Sequence, residues 1–255
     1  MFNPLDLSKR RYLISGAASG IGRTTAVYLS KLNADLLLVD KNEEQLKVTQ
    51  DLCSSYSSVL VALPIDVTDS DVMKAAIVND IESNGKLHGM VHCAGLPYIA
   101  PLKVLSKDNA MKVYQVNVYA GLELAKIFTS KNVYAGDNGS IVFISSVYGI
   151  VGSAANVGYS MTKGAIQSAA KSLAIELAPR KIRVNCIAPG FIKTEMGNQI
   201  NHNFDADYDK HIESLHPLGW GEPIDIAAGI AYLFSDMSKW ITGTIMSIDG
   251  GFTAQ

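Results

Sequence analysis

"SGAASGIG", residues 15–22, is the stretch whose reading decides the fold. It starts where a short apolar run, Tyr12–Ser15, ends, and it opens a helix-like segment over 20–32. Gly16, Gly20 and Gly22 stand in the pattern Gly-x-x-x-Gly-x-Gly, with Ser19 and Ile21 between them. Glycine lets the chain turn sharply and lets a ligand approach the backbone. The first turn of a helix adds free N–H groups and the positive end of its dipole. A strand, a glycine turn and a helix in that order make a cradle for a pyrophosphate. A turn that needs glycine only for packing would look the same locally, so the rest of the chain must separate the two.

Outward from that turn the chain alternates. Strand candidates are Tyr12–Ser15, Asp35–Asp40, Val59–Leu63, Gly89–Cys93, Ser140–Ser145, Arg183–Ile187 and Thr244–Ile248. Most are continuous Val/Ile/Leu runs without polar alternation, as parallel strands buried on both faces require. Helical segments are expected near 20–32, 42–54, 69–84, 106–134, 156–178 and 223–235, with Asp69 and Ser106 as N-caps and Pro223 in a first turn. This rhythm predicts an α/β fold: a doubly wound parallel sheet of about seven strands, Rossmann-like, with helices on both faces. No linker, repeat or biased tract divides 1–255, which reads as a single dinucleotide-binding catalytic domain. The stretch 191–220 lacks clear periodicity and is rich in Asn, Asp and His; an irregular segment of that length is expected to be a substrate lid.

Asp40 ends the second strand 18 residues after Gly22, near the spacing of an acid that accepts from an adenosine ribose 2′-hydroxyl. A carboxylate there repels a 2′-phosphate, and Ser19 supplies no positive partner for one. NAD(H) is therefore expected over NADP(H), although Lys41 follows directly and a plain helix N-cap is the competing role for Asp40.

Composition narrows the function. The chain of 255 residues is 48% hydrophobic and 18% charged, which is globular rather than disordered. A net charge of −2 with scattered Lys and Arg argues against a nucleic-acid partner. The densest basic cluster, Lys9–Arg11, reads as a solvated entrance to the first strand. No signal-like N-terminus or run of 18 apolar residues argues for a membrane. Cys53, Cys93 and Cys186 are widely spaced and read as reduced packing residues of a cytoplasmic protein. The histidines show no ligand spacing, so no metal is expected.

A second stretch, "GYSMTK" at 158–163, sets Tyr159 and Lys163 one helical turn apart. A free phenol, with a pKa of about 10, is a poor base near neutrality. A cation on the same helix face can stabilise its phenolate, which gives the spacing a chemical use. Tyr-x-x-x-Lys alone is a common coincidence, however.

Taken with the glycine turn, the pair resembles the single-domain branch of the short-chain dehydrogenase/reductase superfamily, and similar motifs run along essentially the whole chain. "PIDVT" carries Asp66 and Val67, which resemble the family's adenine contacts. "VNVYA" carries Asn117, "ISSVYG" carries Ser146 thirteen residues before Tyr159, and "NCIAPGFIKT" carries Pro189, Gly190, Ile192 and Thr194. "SIDGGF" is similar to the family's last strand and its exit. The resemblance implies a catalytic set of Asn117, Ser146, Tyr159 and Lys163. Lys163 would also hold the nicotinamide ribose beside Tyr159, Ser146 would steady the substrate oxygen, and Asn117 would hold a water relaying protons to Lys163. Ala94 and Gly95 would pass close to the cofactor. One departure stands out: "HCAG", His92–Gly95, places Cys93 where the family has an asparagine that ties strands together, so some local loss of rigidity is expected.

Leu96, Pro97, Tyr98, Val147 and Tyr148 flank this expected site, which would suit a hydrophobic or mixed small-molecule substrate. His202, Tyr208 and His211 stand in the lid, where substrate contact competes with plain solvation. The expected function is interconversion of a secondary alcohol and a ketone with NAD(P). The chain also resembles 3-oxoacyl-(acyl-carrier-protein) reductases, with Arg180 as a retained basic residue; Asp40, and Asp137 in the loop before strand five, argue the other way. A non-catalytic NAD-binding regulator is the alternative of another class, though it would commonly have lost Tyr159 or Lys163. The resemblance further implies a homo-oligomer, a tetramer or dimer, built on the long helices.

Overall fold

The computed structural model describes residues 4–195 and 206–255, together with the backbone but not the side chains of 206–209. Seven strands form one sheet in the order β3-β2-β1-β4-β5-β6-β7. They are β1 Arg11–Ser15, β2 Asp35–Asp40, β3 Leu60–Pro64, β4 Gly89–His92, β5 Gly139–Ile144, β6 Ile182–Pro189 and β7 Ile245–Ile248. Every pairing is parallel, from Arg11 opposite Asp35 at β1–β2 to Pro189 opposite Ile248 at β6–β7. Sheet order reverses between β1 and β4, and that switch point is where open α/β sheets bind ligands beyond their strand C-termini.

The helices are α1 Gly20–Lys31, α2 Glu43–Cys53, α3 Ser70–Asn84, α4 Lys107–Tyr114, α5 Ala120–Phe128, α6 Val157–Leu177, α7 Ala206–Ser214 and α8 Pro223–Phe234. Two apolar cores sandwich the sheet. One packs Leu13, Met90 and Phe143 against α3, α5 and α6 through Ile77, Leu124 and Ile166. The other packs Ile14, Leu38 and Val142 against α1, α2 and α8 through Leu29, Leu46 and Ile230. Strand residues therefore bury on both faces, which is why their sequences do not alternate.

The expected caps are present. Asp69 Oδ1 accepts from Val72 N at 3.3 Å, and Ser106 Oγ accepts from Asn109 N at 3.2 Å. Pro223 opens α8 behind a capping box of Glu222 and Asp225.

Three expectations need correction. The helix expected over 106–134 ends at Phe128 and is interrupted by a π turn at Gln115–Tyr119. Beyond Phe128 the chain folds into turns, and Tyr134 seals the foot of the sheet with its hydroxyl accepting from Gly139 N at 3.1 Å. The stretch 191–220 contains α7, whose one buried apolar side chain among the described residues, Ile212, is too sparse a stripe to reveal a helix. Arg11 is not solvated: it is 3% exposed and meets the equally buried Asp80 at 2.8 Å. Arg11 also donates to the Gly85 carbonyl at 3.0 Å and Asn84 donates to Asp80 Oδ1 at 2.8 Å, while Arg11 Nε is left without a hydrogen-bond partner.

Candidate active site

The glycine turn is as tight as glycine allows. Gly16 has φ +70°, and a Cβ there would lie 2.5 Å from Ala94 N. A Cβ on Gly22 would fall 2.0 Å from the Gly16 carbonyl oxygen. Gly20, at φ +48°, faces Thr194, whose Cγ2 would touch a Cβ at 3.3 Å. The turn thus closes on itself, on the end of β4 and on Thr194.

Asp40 is bound into this turn. Its Oδ2 accepts from Ala18 N at 3.1 Å and its Oδ1 from Asn42 N at 2.9 Å. The N-cap of α2 is Asn42, which accepts from Gln45 N at 3.1 Å, so Asp40 is no plain cap. Arg23 braces the turn from α1, donating to the Ala18 carbonyl, Thr49 and Gln45. Asp66 accepts from Thr68 N at 3.0 Å and Thr68 Oγ1 at 2.8 Å, and these bonds hold its carboxyl below the usual range. Lys41 Nζ lies 3.7 Å from Asp66 Oδ2, and Lys41 lines the same cleft as Asp40.

Together these residues line a cleft of about 260 Å³ that runs from Gly16 and Ser19 past Asp40 and Asp66 to Ala94, Gly95 and Thr194. Val67 and Ile21 complete its walls. A dinucleotide fits the residues present: backbone N–H groups and glycine at one end, an acid at the strand edge, and an open path to β4.

A second cavity, of about 150 Å³, adjoins it and shares Ile21, Cys93, Gly95, Leu96 and Thr194 with the cleft. Ser146, Tyr159 and Lys163 all line it, as do Pro189, Gly190 and Ile192. Helix α6 is clamped to the end of β5, with Ser145 Oγ donating to the Lys163 carbonyl at 2.9 Å and Gln167 Nε2 donating to Ser145 Oγ at 2.8 Å. That clamp turns Tyr159 and Lys163 toward Ser146. Lys163 is 5% exposed, donates from Nζ to the Ile144 carbonyl at 2.9 Å and stands 5.5 Å from the centre of the Tyr159 ring. Burial pushes its ammonium down to about 8.

Tyr159 is half-buried, and burial pushes its phenol up to about 12. The Ser146 hydroxyl beside it pulls the other way. The Lys163 charge was expected to lower the phenol; instead burial raises it, and the lowering that opposes burial comes from Ser146. Positive charge from an oxidised nicotinamide is what would restore a usable base.

Asn117 sits in the π turn, 1% exposed. Its Oδ1 accepts from Leu96 N at 2.7 Å, and its Nδ2 donates to the Leu96 carbonyl at 3.0 Å and Thr162 Oγ1 at 3.1 Å. A Cβ on Gly95 would stand 3.4 Å from Asn117 Oδ1 and 3.7 Å from Lys163 Nζ, so all three meet at one point. Every residue expected at the site from sequence therefore lines one of two adjoining cavities or, for Asn117, supports their junction.

The two ends of the stretch 191–220, expected as a lid, meet beside the cavity. Ile192 bridges to Gly221, Lys193 N donates to the Gly221 carbonyl at 2.9 Å, and Lys193 Nζ pairs with Glu222 at 2.8 Å. Phe191 N donates to Nε2 of the buried His216 at 3.1 Å, and Tyr148 lies edge-on to both Phe191 and Phe252. His211 is exposed, while His202 and the side chain of Tyr208 lie outside the described residues. Sequence reading missed His216 and Phe252 in this aromatic wall, since nothing in "HPLGW" or the C-terminus marks a residue that packs across the fold. It also missed Asn156, which lines the cavity, and the bonds of His92.

Comparison with known proteins agrees with this geometry. The sequence profile of the family described as "Enoyl-(Acyl carrier protein) reductase" matches residues 16–253. The chain belongs to the short-chain dehydrogenase/reductase superfamily. It is 32% identical over 240 residues to the 3-oxoacyl-(acyl-carrier-protein) reductase FabG of Thermotoga maritima, covering 94% of this chain and 96% of that one. To the 2,5-dichloro-2,5-cyclohexadiene-1,4-diol dehydrogenase LinX of Sphingobium indicum it is 35% identical over 243 residues, covering 94% and 95%. Carveol dehydrogenase from Mycobacterium avium, solved in complex with NAD, superposes with a TM-score of 0.92 at 26% identity, covering 98% of this chain and 99% of that one. This family member is an oxidoreductase that binds NAD(P) and acts on CH–OH or keto groups. Among the described residues, no cluster of metal ligands occurs and no helix is long and apolar enough to cross a membrane.

Proposed function

We propose that this protein is an NAD(H)-preferring dehydrogenase of an uncharged secondary alcohol or the corresponding ketone. The observation that carries the reading is the junction of the two cavities, where Ser146, Tyr159 and Lys163 face a space continuous with the dinucleotide cleft. The nicotinamide supplies or accepts the hydride. Tyr159 gives or takes the proton on the substrate oxygen, Ser146 holds that oxygen as its charge changes, and Lys163 stabilises the phenolate and holds the ribose. Asn117 fixes the junction from behind and would hold the water that relays protons to Lys163. The remaining dinucleotide contacts are assigned to the glycine turn, Asp66, Val67, Ala94 and Gly95, and to the segment from Pro189 to Thr194.

NAD(H) preference rests on Asp40, whose carboxylate is fixed at the end of β2 while Lys41 leans toward Asp66. The uncharged substrate follows from the cavity lining. Leu96, Pro97, Ile99, Val147 and Phe191 dominate it, and among the described residues that line it Lys163 is the one cation, already bonded to Ile144. The sequence of 196–205 contains no Lys or Arg, leaving His202 as its one basic residue. A carboxylate or phosphate would be buried without a partner, at a cost of several kcal/mol or about 100-fold in selectivity or more. The cyclic diol named for LinX and the ring alcohol carveol are substrates of the kind this cavity suits.

An acyl-carrier reductase is the second reading, favoured by the Thermotoga maritima relative. Against it, Arg180 donates to the Thr129 carbonyl and lies over the Tyr134 ring, and Asp137 is exposed nearby in sequence. The domain is read as one catalytic unit with 191–220 as its lid. A cytoplasmic homotetramer or dimer is consistent with free cysteines and with exposed Met111, Tyr119 and Ile175 on the long helices.

The test is a paired NADH and NADPH panel over acyl thioesters, sugars, steroids and simple cyclic ketones. Turnover of neutral ketones with NADH, lost in Tyr159→Phe, is expected. A strong NADPH preference overturns the role of Asp40, preference for acyl thioesters selects the second reading, and binding of NADH without any turnover selects a regulator.

A further inference from the structure

His92 closes β4 with its side chain 1% exposed. It makes two directional bonds. Nδ1 stands 2.8 Å from Ser15 Oγ and Nε2 stands 3.0 Å from the Val116 carbonyl. A carbonyl can only accept, so the proton is on Nε2, and Nδ1 accepts from the Ser15 hydroxyl. Burial pushes the imidazole down to about 4, which keeps it neutral and in that tautomer at working pH.

The two partners are informative. Ser15 is the last residue of β1, immediately before Gly16 of the glycine turn. Val116 lies in the π turn, immediately before Asn117. Room for the ring is provided by Gly121, where a Cβ would come within 2.8 Å of His92 Cδ2. From Asn117 the bonding continues to Thr162, and Thr162 Oγ1 donates to the Tyr159 carbonyl at 2.8 Å. Hydrogen bonds therefore run from the strand that carries the cofactor turn, through His92, into the π turn, and on to the helix of Tyr159 and Lys163. π turns inside helices commonly mark functional positions, and here one is anchored by a buried imidazole.

We propose that His92 is a positioning residue: it holds the π turn in register with β1, so that Asn117 can fix the junction of cofactor cleft and substrate cavity. This assignment rests on the catalytic reading above, and it concerns geometry rather than contact with substrate. Leucine would fill the site but would leave the Ser15 hydroxyl and the Val116 carbonyl without this partner. Glutamine offers one donor and one acceptor at nearly the same reach.

The test compares kcat, KM and NADH dissociation constants of the wild type, His92→Leu and His92→Gln, each alone and with Asn117→Ala. His92→Leu is expected to lower kcat about 10- to 100-fold, the scale of a small misplacement at a reacting centre, with NADH affinity nearly unchanged. His92→Gln should recover most of that loss. Because His92 acts through Asn117, His92→Leu should cost nothing further in the Asn117→Ala background. A folded His92→Leu enzyme with wild-type kcat and only a lower melting temperature overturns the proposal, as do strictly additive losses. If His92→Leu does not fold, His92→Asn, whose shorter amide can meet Ser15 but not Val116, is held to the same criteria. Full activity of Asn117→Ala would overturn the catalytic reading itself; loss there, with His92 variants unaffected, overturns the role of His92 alone.

Discussion

The two sides of the active cleft are built from opposite materials. On the nucleotide side, from β1 to β3, the decisive features are side chains that are missing: Gly16 and Gly22 leave no room for a Cβ, and Asp40 bonds to backbone. On the reaction side, between β4 and β6, the decisive features are polar side chains held in an apolar wall, Lys163, Asn117 and Ser146 buried and Tyr159 half-buried. The first side is specified within a few dozen consecutive residues. The second is assembled from three separate segments and depends on their packing. The contrast teaches that binding and chemistry should fail separately here, and the following substitutions probe that division.

Tyr159→Phe carries the largest expected effect. Turnover should fall by about 10³-fold or more, the upper range for a lost acid–base group, while NADH affinity measured by fluorescence stays put. A parallel loss of affinity would erase the division. Gly22→Ala is next, because its Cβ would sit 2.0 Å from the Gly16 carbonyl. NADH affinity should weaken by about 100-fold and the melting temperature drop by several degrees, as overpacking a rigid turn costs about 1–3 kcal/mol or more. Normal NADH binding in that variant would mean the turn can open without harm.

Asp40→Asn keeps the shape and removes the charge. The NADPH-to-NADH ratio of kcat/KM should rise about 10- to 100-fold, since juxtaposed like charges cost several kcal/mol. An unchanged ratio would transfer cofactor choice to Lys41. Lys163→Met should also cost turnover, because Lys163 backs the phenolate and the ribose; its effect on stability is the smallest expected change here. Burial lowers the folded pKa to about 8 from an unfolded 10.5. Below pH 8 the lysine is charged in both states and the fold carries the whole burial cost. Between pH 8 and 10.5 the folded form sheds its proton first, so wild-type stability recovers as pH rises. The variant should therefore melt higher than wild type at pH 7, with the gap closing by about pH 10.5. A gap that does not change with pH would mean the ammonium is well solvated.

Local signals explain which parts could be read in advance. All seven strands fall within one or two residues of their apolar runs; β6 differs most, continuing to Pro189 because "AP" still pairs with β7. Motif spacing located Ser146, Tyr159, Lys163 and Asn117, which line or support the two cavities. What escaped was non-local or sparse. The π turn conserves helical periodicity almost unchanged, and α7 offers too few apolar residues to stand out. Arg11–Asp80 joins positions far apart in sequence, so a basic cluster looked solvated when one member was buried. Cys93 implied a loosened strand end, whereas its neighbour His92 ties that end on both sides.

The pinned ends of the lid carry a consequence for how such a protein can diversify. Because Ile192 and Gly221 are already bridged and Lys193 holds Glu222, the intervening chain leaves and rejoins the scaffold at one spot. Lengthening a loop whose ends are fixed costs only about 0.6 kcal/mol per doubling. His216 and Leu218 tie the second half of the segment to Phe191 and Gly250, so the chain ahead of α7 is in effect the exchangeable cassette: insertions or grafts there should alter which molecules are admitted while the sheet, the turn and the reacting groups carry on undisturbed.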